Sequence, residues 1–216
     1  MSDVALKSTP RHGVARLVSV VLHPILLPLL TLGVLVEYSP YGSPRQAIYW
    51  VTLGLFITAI PVAALVLVQV VRGRWTDTDV SVRRDRYALY PFGIACLVAA
   101  VTTYVAMRAP QVVVRAVVAA VVANTINWII NLRYKVSGHA TTAALCAALL
   151  WFGIRTPDST LWGGAASLAA LLVGWSRVVL GRHTRGQVVL GWGVGVASGI
   201  AAMLVPWPLI LGMPAF

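Results

Sequence analysis

Apolar residues run together in long stretches, and polar residues gather in the short breaks between them. Seven apolar runs, roughly 15–36, 47–71, 88–107, 110–131, 139–155, 160–180 and 187–210, predict helices. A run of about 18 residues crosses a hydrocarbon core of about 30 Å at 1.5 Å per residue. Only helices or closed barrels satisfy every backbone group in lipid. The expectation is an all-α integral membrane protein, a compact bundle of about seven transmembrane helices, with six as the alternative. Connections at 38–45, 107–110 and 155–160 are short and rich in Pro, Gly or Ser, so consecutive helices should be antiparallel neighbours. Pro61 inside the second run predicts a kink. No internal repeat or linker divides the chain, and residues 1–216 read as one domain.

Three polar breaks stand out, at 72–87, 132–139 and 177–187. Two helices separate the first break from the second, and two separate the second from the third. An even number of crossings returns the chain to the same face. All three breaks should therefore meet at one end of the bundle, with the N-terminal tail beside them.

Composition agrees with this pattern. The chain is 59% hydrophobic and 11% charged, against about 45–50% and about 25% in soluble domains. Its net charge of +11 comes from 17 Lys+Arg over 6 Asp+Glu. These cations lie at the ends of apolar runs and not in one soluble patch. That favours membrane lipids and a phosphorylated lipid as partners, and no nucleic acid. Oligomeric state is left open. Cys96 and Cys146 each fall inside an apolar run, so no disulfide framework is expected. Lys7, Arg11 and Arg16 before the first run imitate a signal peptide. That run is too long for one, contains His23-Pro24 and Pro28, and lacks a small-residue cleavage site, so it reads as an uncleaved span. On the seven-helix count thirteen cations share the face of the three breaks, and Arg45, Arg108, Arg115 and Arg155 lie on the other. The positive-inside tendency then puts the N-terminus and the breaks on the cytoplasmic side of the cell membrane. Setting aside Arg83, Arg86, Lys135, Arg177 and Arg182 as site candidates leaves eight against four, and the same orientation.

The third break, Ser176-Arg177-Val178-Val179-Leu180-Gly181-Arg182-His183-Thr184-Arg185-Gly186-Gln187, sets three arginines and a histidine between two apolar runs. The second break ends in Ser137-Gly138-His139. Ionisable groups are costly near hydrocarbon and mark a polar site by default. Two imidazoles suit cleavage of a phosphomonoester: one, neutral, attacks phosphorus to give a phosphohistidine, and the other protonates the departing alkoxide. Such a route needs fixed cations on the phosphate oxygens, because phosphoryl transfer is mostly positioning and charge stabilisation. His183 and His139 are the candidate pair, with Arg177, Arg182, Arg86, Arg83 and Lys135 as candidate cations. Backbone N–H groups at Ser137, Gly138 and His139 would add a helix N-terminus facing the anion.

Ser-Gly-His followed 37 residues on by Ser-Arg-x5-His resembles motifs two and three of the membrane-bound type-2 phosphatidic-acid phosphatase superfamily. Lipid phosphate phosphatases and polyprenyl diphosphate phosphatases belong to that superfamily, and the resemblance covers a core from about Arg72 to about Gly199. It implies that His183 is the nucleophile, and that His139 is the acid for the leaving group and then the base for water. It further implies that Arg177 and the first-motif arginine clamp the phosphate, without a metal or other cofactor. The chain departs from the family pattern in three places. The first motif, Lys-x6-Arg-Pro, is at best Asp79-x6-Arg86-Tyr87, with Arg83 as the nearest substitute cation. Val136 stands where the second motif has proline, and Gln187 where the third has aspartate. A glutamine oxygen can hold an imidazole tautomer but cannot balance the charge of the protonated ring, and amide partners do occur in working triads. His-Thr-x-x-Gln also looks like the polyprenyl diphosphate phosphatase branch, which moves the expected substrate toward isoprenoid phosphates.

Each of these residues has a plainer reading. Arg182 is equally a snorkelling interfacial residue. Arg83 and Arg86 share a loop with Arg72, Arg74, Arg84, Asp77, Asp79 and Asp85 that would serve as a solvated charge run. His23, before Pro24, reads as a packed, hydrogen-bonded histidine. Asn124, Asn127 and Asn131 line one helical face and are expected to hold the His139 loop. Gly191, Gly195 and Gly199 form a small-residue stripe for close helix packing. Three functions stay open: a lipid phosphatase, a phosphotransferase that passes the phosphoryl group to an alcohol, and a lipid-phosphate-binding or scaffolding protein without turnover.

Overall fold

The computed structural model describes residues 10–40, 42–80 and 82–205. Its helices are α1 (Pro10–Val21), α2 (Leu26–Glu37), α3 (Pro44–Gly54), α4 (Ile60–Val71), α5 (Arg86–Ala106), α6 (Gln111–Asn131), α7 (Gly138–Gly153), α8 (Ser159–Val179) and α9 (Arg185–Leu204). No strand occurs among the described residues. Pro24 withholds an N–H and disfavours the helical region for His23, and α1 and α2 meet there at 49°. The misfit expected at Pro61 is taken up one turn earlier, in a π turn at Leu55–Ala59 that joins α3 to α4. Thr58 Oγ1 donates to the Gly54 carbonyl there at 2.7 Å.

Five helical segments are long and apolar enough to cross a membrane, and the bent α1–α2 pair makes a sixth. The remaining expected span, α7, has only 16 residues, about 24 Å of helix. Its environment explains the shortness. Ten of its residues are buried, and α2, α6, α8 and α9 all pack against it. A helix apolar all round is one enclosed by protein, so lipid thickness does not set its length. The protein is thus an all-α membrane bundle with six lipid-crossing candidates around a short central helix. The part of the seventh run beyond residue 205 lies outside the described residues.

The glycine stripe packs α9 onto α7. A Cβ built on Gly191 would lie 2.7 Å from the Ser137 carbonyl oxygen, one on Gly195 2.3 Å from that of Thr141, and one on Gly199 2.7 Å from the Ala148 Cβ. At one end of the bundle Arg115 donates to the Met203 carbonyl at 3.0 Å, and Trp162 donates to the Tyr38 hydroxyl at 3.2 Å. At the other end the three polar breaks converge.

Candidate active site

Local sequence shapes each break. After α4 and α8 the chain turns through Gly73 and Gly181, at φ of +66° and +65°. At the second turn Gly181 N–H donates to Val178 at 3.0 Å and Arg182 N–H to Arg177 at 3.0 Å, a Schellman closure that needs glycine's left-handed freedom. The chain leaves this turn at His183. Ser137 caps α7, its Oγ accepting from the Ala140 N–H at 3.4 Å. Thr184 caps α9 in a capping box with Gln187. Val80, a buried β-branched residue, is held at φ +49°, a conformation such residues avoid.

These turns are tied to one another. Arg86 donates through Nε to the Val80 carbonyl at 2.8 Å and through Nη1 to the Val136 carbonyl at 2.9 Å. Ser137 N–H donates to the Gln187 carbonyl at 3.2 Å, and Lys135 Nζ to the Arg182 carbonyl at 3.0 Å. The even-crossing argument therefore holds: residues from all three breaks stand side by side. On α6, Asn127 Oδ1 accepts from Thr141 Oγ1 at 3.2 Å, and Asn131 Nδ2 donates to the Arg83 carbonyl at 3.3 Å. Of the three asparagines expected to hold the His139 loop, Asn127 holds the first turn of α7, Asn131 holds the first break instead, and Asn124 donates to the Ala120 carbonyl of its own helix at 2.9 Å.

His183 is 6% exposed, with Nδ1 3.0 Å from Gln187 Oε1. The same oxygen accepts from the Thr184 N–H at 3.3 Å. An atom that accepts from a backbone N–H is the amide oxygen, so Nδ1 is the protonated ring nitrogen and Nε2 keeps its lone pair. Burial, then the Arg86 charge, lowers the His183 pKa to about 3, with Lys135 and Arg177 adding to the effect and the Gln187 hydrogen bond opposing it. The ring is neutral at physiological pH. Burial also pushes the Lys135 ammonium down, and the Arg86, Arg177 and Arg182 cations push it further, against Asp77.

Arg177 is 1% exposed, and its Nη1 donates to Asp79 Oδ2 at 3.0 Å and to Ser19 Oγ at 2.9 Å. Arg182 lies 3.6 Å from Asp77 and 3.9 Å from Asp79. Asp79 Oδ1 is 3.9 Å from His139 Nε2, too long for a hydrogen bond. Burial alone would raise the Asp79 carboxyl, but Arg177, then His139 and Arg182, hold it below the usual carboxylate range. Two buried polar atoms in this cluster lack a hydrogen-bond partner among the described residues: His139 Nε2 and Arg177 Nε. Buried orphans of this kind need explaining, and a bound polar group is one explanation.

Several site expectations change in detail. The Arg83 guanidinium donates to the Leu132 carbonyl at 3.2 Å at the surface, where it ties the first break to the second. Two nitrogens of Arg86 serve backbone carbonyls, so its clearest electrostatic effect on the site is the charge it sets beside His183. Ser137 uses its hydroxyl as a cap and its N–H on Gln187, which leaves Gly138 and His139 as the N-terminal residues of α7 still facing the site. Two residues matter more than sequence reasoning gave them. Asp79 fills the space between Arg177, Arg182 and His139. His23, at the α1–α2 bend, stands edge-on to His139 with ring centroids 5.8 Å apart, its Nδ1 accepting from the Ile25 N–H at 3.2 Å. The carboxylate's place in the first motif was the available signal for Asp79. For His23 the proline break was the only one.

Residues 131–210, which carry both histidines, Arg177 and Gln187, match the family model of the PAP2 superfamily. Over that segment the chain is similar to the type-2 phosphatidic-acid phosphatase superfamily. No curated protein and no solved structure matches the chain.

Proposed function

We propose that this integral membrane protein hydrolyses a phosphomonoester or diphosphate of a polyprenyl or related lipid through a phosphohistidine on His183. The observation that carries this reading is the state of His183: buried, neutral, with Nδ1–H fixed on Gln187 and the Nε2 lone pair free. Nε2 attacks phosphorus as the bond to the lipid oxygen breaks. Burial and the Arg177 cation hold the His139 pKa well below the usual imidazole range, against the pull of Asp79 3.9 Å away, so His139 takes up the proton of a monoanionic phosphate ester and gives it to that oxygen. The lipid alcohol leaves, or the lipid monophosphate where the substrate is a diphosphate. Water then attacks the phosphohistidine, His139 takes the water's proton, and phosphate departs with His183 neutral again. Arg177 binds the phosphate oxygens with its free Nε, supported by the Arg182, Arg86 and Lys135 charges and by the α7 N-terminus at Gly138. These fixed cations supply the charge stabilisation that a metal would otherwise give, so EDTA should not inhibit. The active-site end faces the cytoplasm of the cell membrane on the charge count given above.

Phosphate release by purified protein tests this. A polyprenyl monophosphate, its diphosphate and phosphatidic acid are offered with EDTA present, beside His183→Ala. Release that the variant loses is expected; undiminished release by the variant would sink the assignment. One observation favours a second reading. Asp79 is paired with Arg177 at the place where the resemblance puts a lysine, as in a binding protein that has lost turnover. Lipid-phosphate binding without release from any substrate would decide for it.

A further inference from the structure

Beneath the two histidines the bundle holds a cavity of about 490 Å³, walled by α2, α4, α5, α6 and α7. Its polar end carries Asp79, His139, His23 and Arg86, and its deep end reaches Gly54 and Tyr104. Tyr104 closes that end: it is 1% exposed, and its hydroxyl donates to the Trp50 carbonyl at 3.0 Å. Between the two ends the walls are mostly apolar. His139 lines the cavity; His183 and Arg177 do not.

This asymmetry matches in-line displacement. The leaving oxygen lies opposite the attacking nitrogen, beside the acid that protonates it. The group attached to that oxygen therefore extends away from His183 and past His139, and the cavity begins there. Along α5 the lining runs from Arg86 to Tyr104, 18 residues or about 27 Å of helix. An extended hydrocarbon chain advances about 1.25 Å per carbon at ordinary C–C bond lengths and angles, so about 20 carbons span that length.

We infer that the cavity is a measuring site for the lipid tail, and that the preferred substrate is a lipid phosphate whose extended tail is about 15–20 carbons long. The inference rests on the phosphatase reading and narrows it. A much longer polyprenyl chain outruns the distance from the polar end to Tyr104.

Gly93 gives the test. It lines the cavity from α5, and a Cβ built there meets nothing within 4 Å, so Gly93→Phe fills the space without displacing backbone. Wild-type and Gly93→Phe proteins would be assayed with prenyl monophosphates of 10, 15, 20 and 55 carbons, a single-acyl glycerol phosphate, a diacyl phosphatidic acid and a soluble aryl phosphate. The aryl phosphate reports the chemistry without a tail. Thermal stabilisation by the matching prenyl alcohols reports the cavity without chemistry. Wild-type kcat/KM should peak at 15–20 carbons, at least tenfold above the 55-carbon substrate. Gly93→Phe should shift the peak to 10 carbons while aryl phosphate turnover stays within twofold, and should abolish stabilisation by the 15-carbon alcohol. Whether the prenyl or the acyl single chain is faster identifies the chain type. Equal rates at every length, or alcohol stabilisation that Gly93→Phe leaves intact, would overturn the inference. Loss of aryl phosphate turnover in wild type, with the alcohol still stabilising it in a length-dependent way, would overturn the phosphatase reading and keep the cavity.

Discussion

The Arg177 guanidinium meets the Asp79 carboxylate at 3.0 Å, and the proposed mechanism needs that guanidinium for the substrate phosphate. An internal anion thus holds the clamp that the candidate mechanism needs open. The pair has two opposed consequences. The carboxylate competes with phosphate for Arg177, and it also favours the proton on His139. Asp79→Asn should separate them. Two unit charges 4 Å apart repel by about 1–4 kcal/mol at the dielectric of a wet or near-surface site. The inhibition constant for inorganic phosphate should therefore fall about tenfold or more, while kcat on a monophosphate falls. Arg177 holds Asp79 below the usual carboxylate range, against its burial, so both effects should persist unchanged from pH 7 to pH 5. An unchanged phosphate inhibition constant would show that Asp79 does not compete for the clamp.

Gln187 is read here as a positioning residue. Its oxygen fixes the Nδ1–H tautomer of His183 and also accepts from the Thr184 N–H. Gln187→Ala removes both, so Thr184→Ala is the control for the cap alone. Loss of a cap costs about 1 kcal/mol of stability. Loss of the tautomer costs far more in turnover, up to about 10⁴ by analogy with a serine-protease triad. Gln187→Ala should lower kcat by at least 100-fold and Thr184→Ala by less than threefold. Gln187→Glu should retain turnover but move the acidic limb of kcat/KM upward, because a carboxylate beside the ring raises its pKa. Equal losses in the two alanine variants would reduce Gln187 to a helix cap.

Much of this arrangement was legible in the chain. Helix parity alone brought the breaks at 72–87, 132–139 and 177–187 together, because it depends only on counting crossings. The glycine stripe and the asparagine face were legible as periodicities, and α7 is the partner of the stripe and of Asn127. Side-chain targets were not legible. Nothing in the spacing of Arg83 and Arg86 tells which one turns inward, since that depends on the Val80 and Val136 carbonyls that Arg86 reaches. Hydropathy reported α7 as one more span. A helix enclosed by protein and one enclosed by lipid are equally apolar, so only packing distinguishes them.

His183 ties stability to pH. Its folded pKa, about 3, lies below an unfolded value of about 6.5. Above both values the ring is neutral in either state and contributes nothing. As pH falls below the unfolded value, protons bind the unfolded chain first, and stability is lost down to the folded value. Between pH 7 and pH 5 the loss from this one group is about 2 kcal/mol. His183→Gln removes the titration. Thermal unfolding in detergent at the two pH values should show a smaller drop in Tm for the variant than for the wild type. Equal drops would mean that the imidazole titrates in its ordinary range when folded.

Gly195 offers the sharpest packing test, because its missing Cβ would meet backbone. That atom would lie 2.3 Å from the Thr141 carbonyl oxygen and 2.8 Å from the Leu145 nitrogen. Neither can move without displacing α7, whose first turn carries His139. Gly195→Ala should therefore push α9 away from α7 and cost about 1–3 kcal/mol or more. It should also lower turnover, since His183 at the start of α9 and His139 on α7 would part. Gly193 lies on the same helix, and a Cβ there meets nothing within 4 Å. Gly193→Ala should leave turnover unchanged and raise stability slightly, as alanine does in place of a helical glycine. Tm and kcat measured on both variants separate contact from propensity. Should Gly195→Ala match Gly193→Ala in both, the α7–α9 contact would not be what sets the distance between the two histidines.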